Sequence, residues 1–323
     1  MEKTVIRKKP ATKLPHCKLL VVMPVGPDDN GKDTIESIFT YCTSSVIILA
    51  IDDSKNEATA TYLKTVDPRV ICLPSGNFRK PLRRGPHLPS AKYKGIRGEV
   101  FCNLARAYRY AVDHYSFDML LRIDTDALII GPHPEDDALE AFHDDPKIGM
   151  LGFYRYDDAG SPRDFGIVGQ GMFRETSLLG LRNQPRRKRL NYWIKTAKLY
   201  GYDLGEHCLG AVVYQNAATI RAFARSGDLF VDEFRDSVIS EDHLFSLLTI
   251  RHGYKLADFA TGSLPMGVQW RGLPDSPENL VKRGKKIIHS IKFYKDMSEQ
   301  EIRVYFRKLR AKQAKAKPAK ATK

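Results

Sequence analysis

Asp124 and Asp126 flank Thr125 directly after the apolar run LLRI and ahead of LII. Two carboxylates at i and i+2 in an extended chain point the same way and can share one hard cation. Ionised carboxylates held side by side repel, so a cation gives the pair a purpose. A bare Asp-x-Asp triplet is common at solvated strand ends, and the apolar run on either side singles this one out. Glu241 and Asp242, followed by His243, precede the apolar run LFSLL. A carboxylate there can accept a proton from a hydroxyl nucleophile, or offset the dipole at a helix N-terminus. His289, in KKIIHSIK, follows a short β-branched run and can offer a neutral imidazole nitrogen to a metal.

The elements that must position these groups are legible upstream. Cys17 to Val25 (CKLLVVMPV) and Val46 to Ile51 (VIILAI) are nearly continuous apolar runs rich in β-branched residues, as strands covered on both faces would be. Val70 to Leu73 reads as a third short strand, and Met119 to Ile123 as another that runs into Asp124. Between them Asp33 to Cys42 reads as a helix, and so does Glu99 to Tyr115, where Val100, Leu104, Ala107, Tyr108 and Ala111 recur at helical spacing. Strands alternating with helices predict an α/β fold with a mostly parallel central sheet flanked by helices. Ligands of such sheets sit at the carboxyl ends of the strands, which places Pro24, Asp52, Asp53, Asp124 and Asp126 along one edge. The second half reads as less regular: a Gly-rich stretch at 166–171, a basic segment at 182–198, a helix over Ala218 to Arg225, and a final helix whose Ile302, Tyr305, Phe306 and Leu309 dock on the body.

The 323 residues carry 52 Lys and Arg against 38 Asp and Glu, a formal charge of +14. Three acid-free segments, 79–97, 182–198 and 303–323, hold 23 of the basic residues, which leaves 29 basic against 38 acidic in the rest. The body is therefore acidic and the surplus lies in patches, which suit an anionic partner such as a membrane surface or a phosphorylated acceptor. No apolar run approaches the roughly 18 residues of a membrane span, and MEKTVIRKKPATKLPH lacks the apolar stretch of a secretory signal. The expected location is the cytoplasm, peripheral at the inner membrane face. Five widely spaced cysteines, an odd number, argue against a disulfide framework or a zinc knuckle.

Taken together, VVMPVG, IDDS, RGEVFCNLARAYRYA, LLRIDTDALI, LGAVVYQNAATIRAF, SEDHLFSLLTIRHGYKL and IHSIK resemble the GT-A type of nucleotide-sugar-dependent glycosyltransferases, closest in layout to the inverting family 2. The resemblance spans about residues 17 to 293. It implies a Rossmann-like GT-A catalytic domain over 17–293, with a nucleotide-binding half at 17–130 and an acceptor half at 131–293. A basic tail at 1–16, a C-terminal helix at 294–310 and a disordered basic tail at 311–323 complete the expected layout.

Residue by residue, the resemblance implies that Asp52 and Asp53 contact the nucleoside while Pro24 and Val25 line the base pocket. Arg97, Asn103 and Arg106 would face the nucleotide, and Lys292 a phosphate. Asp124 looks like the sugar or ribose contact and a metal ligand, Asp126 like the principal metal ligand, and His289 like the third. Asp242 looks like the catalytic base, with Glu241 positioning a sugar, and Gly210 and Ala211 leave room for the donor. The implied donor is a nucleotide diphosphate sugar, UDP-sugars first, and the implied acceptor a hydroxyl on a glycan, lipid-linked glycan or protein. Two carboxylates, an imidazole and phosphate oxygens suit Mn2+ ahead of Mg2+. The segment 74–98 is longer and more basic than the usual connection, and no acceptor-side tryptophan stands out, Trp193 and Trp270 being available.

Two other readings compete. A nucleic-acid-binding protein fits +14 but leaves the acidic edge repelling phosphates. A metal-dependent nucleotidyltransferase shares the Asp pair but has no need of a distant base. A dehydrogenase is disfavoured, because no G-x-G-x-x-G follows the first strand.

Overall fold

The computed structural model describes residues 14–26, 29, 31–54, 57–75, 98–177 and 184–316. Along the chain these form β1 (His16–Val25), α1 (Lys32–Tyr41), β2 (Val46–Asp52), α2 (Glu57–Thr65), β3 (Val70–Pro74), α3 (Gly98–His114), β4 (Ser116–Ile123) and β5 (Ala127–Ile129). There follow α4 (Pro134–Asp144), β6 (Ile148–Gly152), α5 (Gly166–Thr176), α6 (Gln184–Lys198), β7 (Val212–Asn216), α7 (Ala217–Arg225), α8 (Glu241–Arg251) and β8 (Lys255–Asp258). The last group is β9 (Met266–Val268), α9 (Pro277–Lys282), β10 (Ile287–His289), the short strands β11 (Phe293–Tyr294) and β12 (Met297–Ser298), and α10 (Glu299–Ala316).

A seven-stranded sheet in the order β3-β2-β1-β4-β7-β6-β8 forms the centre. Its first four strands are parallel, as expected for buried apolar runs joined by helices. Alternation along β1 sends Leu20 and Val22 to one face, against Phe101, Leu104 and Tyr108 of α3, and Leu19, Val21 and Met23 to the other, against Ile35 and Ile38 of α1. Each face thus has its own apolar layer, and Leu19 to Met23 of β1 and Met119 to Ile123 of β4 are buried between them.

The second half is more regular than its sequence suggests. β7 lies antiparallel between β4 and β6, and β8 pairs parallel with β6, so the central sheet continues through it. The Gly-rich stretch 166–171 is the start of α5. Gly169 lets that helix pass against the backbone of Leu204, whose carbonyl oxygen would lie 2.6 Å from an added Cβ. The basic segment folds as α6 from Gln184 and buries Leu190, Trp193 and Ala197. Trp193 stacks flat on Phe234 at 4.9 Å and donates its indole N–H to Asp228, which makes it a core residue unable to meet an acceptor.

β5, β10 and β9 make a small second sheet, on which α10 packs Ile302 and Phe306 over Leu128, Ile130 and Ile288. The C-terminal helix continues to Ala316, past the expected limit at 310. Arg97, with the rest of 79–97, and the tails 1–13 and 317–323 lie outside the described residues. All five cysteines are free thiols.

Candidate functional site

β1, β2, β3 and β4 end on one edge, and β7 begins there, because Val212 pairs with Ile123. α8 also starts at this edge, with Glu241 and Asp242 in its first turn, where carboxylates offset the positive end of the helix.

The Asp-Thr-Asp triplet is a turn between β4 and β5, not extended strand: the Ala127 amide donates to the Asp124 carbonyl at 3.1 Å. Its backbone is held on every side. The Asp124 amide donates to Ala211 O at 2.9 Å, and Ile291 N to Asp126 O at 3.0 Å. Thr125 O accepts from the Thr34 hydroxyl at 2.9 Å and from Arg303 at 3.0 Å. With Thr125 buried beneath, the two carboxylates still emerge together.

Asp124, Asp126 and His289 bring one ligand atom each within 4.8 Å of the others. Asp126 accepts the Ser290 hydroxyl at 2.9 Å and lies 3.3 Å from His289 Nε2. His289 Nδ1 faces Gln269 O at 2.9 Å, and a carbonyl only accepts, so the proton is on Nδ1. Nε2 faces Asp126 Oδ1, and a backbone carbonyl that fixes the other ring nitrogen is what a ligating histidine needs. These residues fit a divalent metal. Burial works to raise the Asp126 carboxyl, but the His289 and Ser290 contacts hold it below the usual carboxylate range. Burial pushes Asp124 up to about 6 even with Arg122 pulling the other way.

Arg122, which the sequence reading passed over, joins the two halves of the site. It is buried in β4, and its Nη2 reaches Asp124 Oδ1 at 3.0 Å and Glu241 Oε1 at 2.9 Å. Its remaining nitrogens have no hydrogen-bond partner among the described residues, and it lines a small cavity with Tyr108, Gly210, Glu241 and Asp242. At about 10 Å3 that cavity admits one water. A charge in a strand apolar on both faces must be paired, and that was the available signal.

Asp242 Oδ1 accepts the Ser240 hydroxyl and the His243 amide. Burial tends to raise its carboxyl, yet His243, His207 and Ser240 hold it low. Burial raises neighbouring Glu241, against the pull of Arg122. His207, Asp242 and His243 form a second cluster of ligand types. There His207 Nδ1 donates to Gly205 O at 2.8 Å and Nε2 accepts from Arg163 at 3.0 Å, so neither nitrogen is left for a metal. Burial lowers His207 to about 4 and keeps it neutral at pH 7.

Gly210 borders Asp242 directly: an added Cβ would stand 2.6 Å from Asp242 Cβ and 3.2 Å from Arg122 Nη1. Its smallness thus serves the carboxylate and the guanidinium. Pro24, Val25, Asp52 and Asp53 lie at the ends of β1 and β2, where the Asp53 amide donates to Val25 O at 2.9 Å. Asp52 Oδ1 accepts from the amide and hydroxyl of Ser54, and Asp53 Oδ1 from the Ser75 hydroxyl at 2.9 Å. Asn103 and Arg106 are on α3, Arg106 exposed. Lys292 is half-exposed and pairs with Glu299 at 3.3 Å. Trp270, 65% exposed, adjoins the Gln269 carbonyl that orients His289.

No protein-family model and no curated protein matches the chain. Among solved structures, the apo WbbM bifunctional glycosyltransferase is similar at a TM-score of 0.43 and 11% identity, over 93% of this chain and 50% of that one. The chain spans half the length of that structure, and a superposition this loose assigns no residue.

Proposed function

We propose that the chain is a metal-dependent glycosyltransferase that moves a sugar from a nucleotide diphosphate sugar to an acceptor hydroxyl with inversion. The observation that carries the reading is the Asp126–His289 pair and Asp242 on one sheet edge, linked through Asp124, Arg122 and Glu241. Bound by Asp126 and His289, with Asp124 beside them, a divalent ion, Mn2+ first, would neutralise the diphosphate charge that builds up on the leaving group.

The rest is done by the chain's own groups. The ends of β1, with Pro24 and Val25, and of β2, with Asp52 and Asp53, lie one and two strands from the end of β4 at roughly 4.8 Å per strand, a span that suits the nucleoside while its phosphates reach the acidic turn. Hydrogen bonds from Ser240 and the His243 amide fix Asp242 at Oδ1 and leave Oδ2 to take the proton of an acceptor hydroxyl. Glu241, held by Arg122, is placed to accept hydroxyls of the sugar. UDP-sugars are the first donors to try, as the sequence resemblance implies.

Sugar release from a nucleotide-sugar panel with Mn2+ tests the reading. Asp242→Asn should lose about 10² to 10⁴ of turnover while still binding donor, because positioned general-base help is worth that much. Wild-type turnover in that variant removes Asp242 from the role, and release of pyrophosphate in place of a nucleoside diphosphate overturns the reaction class.

A further inference from the structure

The outward face of α6 is unlike the rest of the surface. Lys188, Tyr192 and Lys195 follow at spacings of four and three, which puts them on one stripe of the helix, Leu199 is the first residue after its end, and all four are exposed. Lys198 and Tyr200 extend it at the helix end. Leu199 is 79% exposed, Tyr200 59% and Tyr192 57%, so three large apolar side chains stand among three lysines. Lys188, Lys195 and Lys198 have no ion-pair partner among the described residues.

The same helix shows what its other basic residues do. Arg186 pairs with Glu175 and Asp236, and Arg189 with Glu233, so the acids near α6 are neutralised on its inner side. No acid occurs between Glu175 and Asp203 in the sequence. What remains outside is a positive stripe with aliphatic and aromatic tips.

We propose that this face of α6 docks the protein on an anionic lipid surface, with Leu199, Tyr200 and Tyr192 entering the headgroup layer and Lys188, Lys195 and Lys198 meeting lipid phosphates. Lysines beside tyrosine and leucine on one helix face are the composition of an interfacial helix, and lysine stems can bury while their ammonium groups stay at the headgroups. A nucleic acid would account for the lysines but offers no apolar medium for Leu199. The face is separate from the candidate site: Arg251, at the far end of α8 from Glu241, lies over the Tyr192 ring at 5.0 Å. It therefore serves attachment, and it stands whether or not the donor chemistry does.

The test is cosedimentation of the full chain with vesicles of phosphatidylcholine alone or with a quarter phosphatidylserine, in about 0.1 M salt. Binding to the anionic vesicles only is expected. The triple variant Lys188→Gln, Lys195→Gln, Lys198→Gln should bind on the order of 100-fold more weakly, each lysine contributing a few-fold. Leu199→Ser with Tyr200→Ser, which keeps the charge, should bind at least roughly tenfold more weakly. Unchanged thermal midpoints in both variants confirm that they are folded. Wild-type indifference to lipid charge overturns the proposal, as does wild-type affinity in either variant. A chain that prefers RNA or DNA over vesicles, and loses that preference in the lysine variant, overturns it in favour of a nucleic acid.

Discussion

At the residue scale the candidate site is tied together by Arg122, whose guanidinium reaches Asp124 at 3.0 Å and Glu241 at 2.9 Å. Asp124, Asp126, Glu241, Asp242 and His289 stand out because carboxylates and an imidazole beside apolar runs need a reason to be there. Arg122 did not, since one basic residue in LLRID reads as strand until its partners are seen. Gly210 looked like space for a sugar, and its contact turns out to be Asp242 itself. Gly210→Ala should therefore force that carboxylate and Arg122 apart. Overpacking of this kind costs about 1–3 kcal/mol, and a displacement of about 1 Å at a reacting group costs on the order of 10² in rate. A fall in both thermal midpoint and turnover is expected, and a variant as active as wild type would place Asp242 outside the chemistry. The metal has its own readout. At about a hundredfold excess over Kd a bound ion stabilises by about 2.7 kcal/mol, so Mn2+ should raise the thermal midpoint of the wild type. His289→Ala should abolish most of that rise, and an undiminished rise would put the ion elsewhere.

Among elements, the long apolar strands β1, β2 and β4 and the periodic α3 could be read directly, since burial on both faces leaves a continuous signature. β5, β9 and β10 have three residues each, too few to show a period, and the glycines of α5 read as a less regular stretch until Leu204 is seen against Gly169. α10 shows a different effect. Its arginines looked like surface charge, but Arg307 grips buried Asp33 of α1 with two bonds of 2.9 Å, and Arg310 adds one of 3.0 Å. Arg303 lies 3.6 Å from the same carboxylate while holding Thr125 O. The helix thus clamps the turn that carries Asp124 and Asp126. Burial works to raise Asp33, and the Arg307 bond with its charged neighbours outweighs it and lowers the carboxyl. A carboxyl lowered on folding stabilises fully above its unfolded value of 3.8 and loses that stabilisation as pH falls below it. The thermal midpoint should accordingly drop below about pH 4. Asp33→Asn removes the charge that Arg307 and Arg310 share, while Arg303 keeps Glu299 at 2.7 Å and Arg310 lies 3.6 Å from Glu36; it should cost about 1.5–3 kcal/mol at neutral pH and flatten the acid limb. An unaltered acid limb in that variant would show the clamp to be idle.

For the molecule as a whole, the sequence resemblance implies one domain over 17–293 with two halves meeting near residue 130, and the central sheet runs across that point. β7, from the second half, is the hydrogen-bond partner of β4, and the edge that carries the candidate site needs both. α10 closes over α1 from the opposite end of the chain, through Asp33 and through Gln313, which accepts from the Tyr41 hydroxyl at 2.8 Å. A fragment ending at residue 131 would leave the apolar strand β4 with an open edge, the arrangement that pairs with other chains. It would also strip α10 from α1 and expose Asp33. We expect that fragment to aggregate, and the full chain to unfold in one transition that coincides by far-UV circular dichroism and tryptophan fluorescence. Trp193 reports from the core beneath α6 and Trp270 from beside His289, so the fluorescence samples both the second half and the site rim. Two separated transitions, or a soluble fragment with native-like helix content, would mean that the four parallel strands hold together without β7, and the coupling of Asp124 to Glu241 through Arg122 would then join two bodies and not lie inside one.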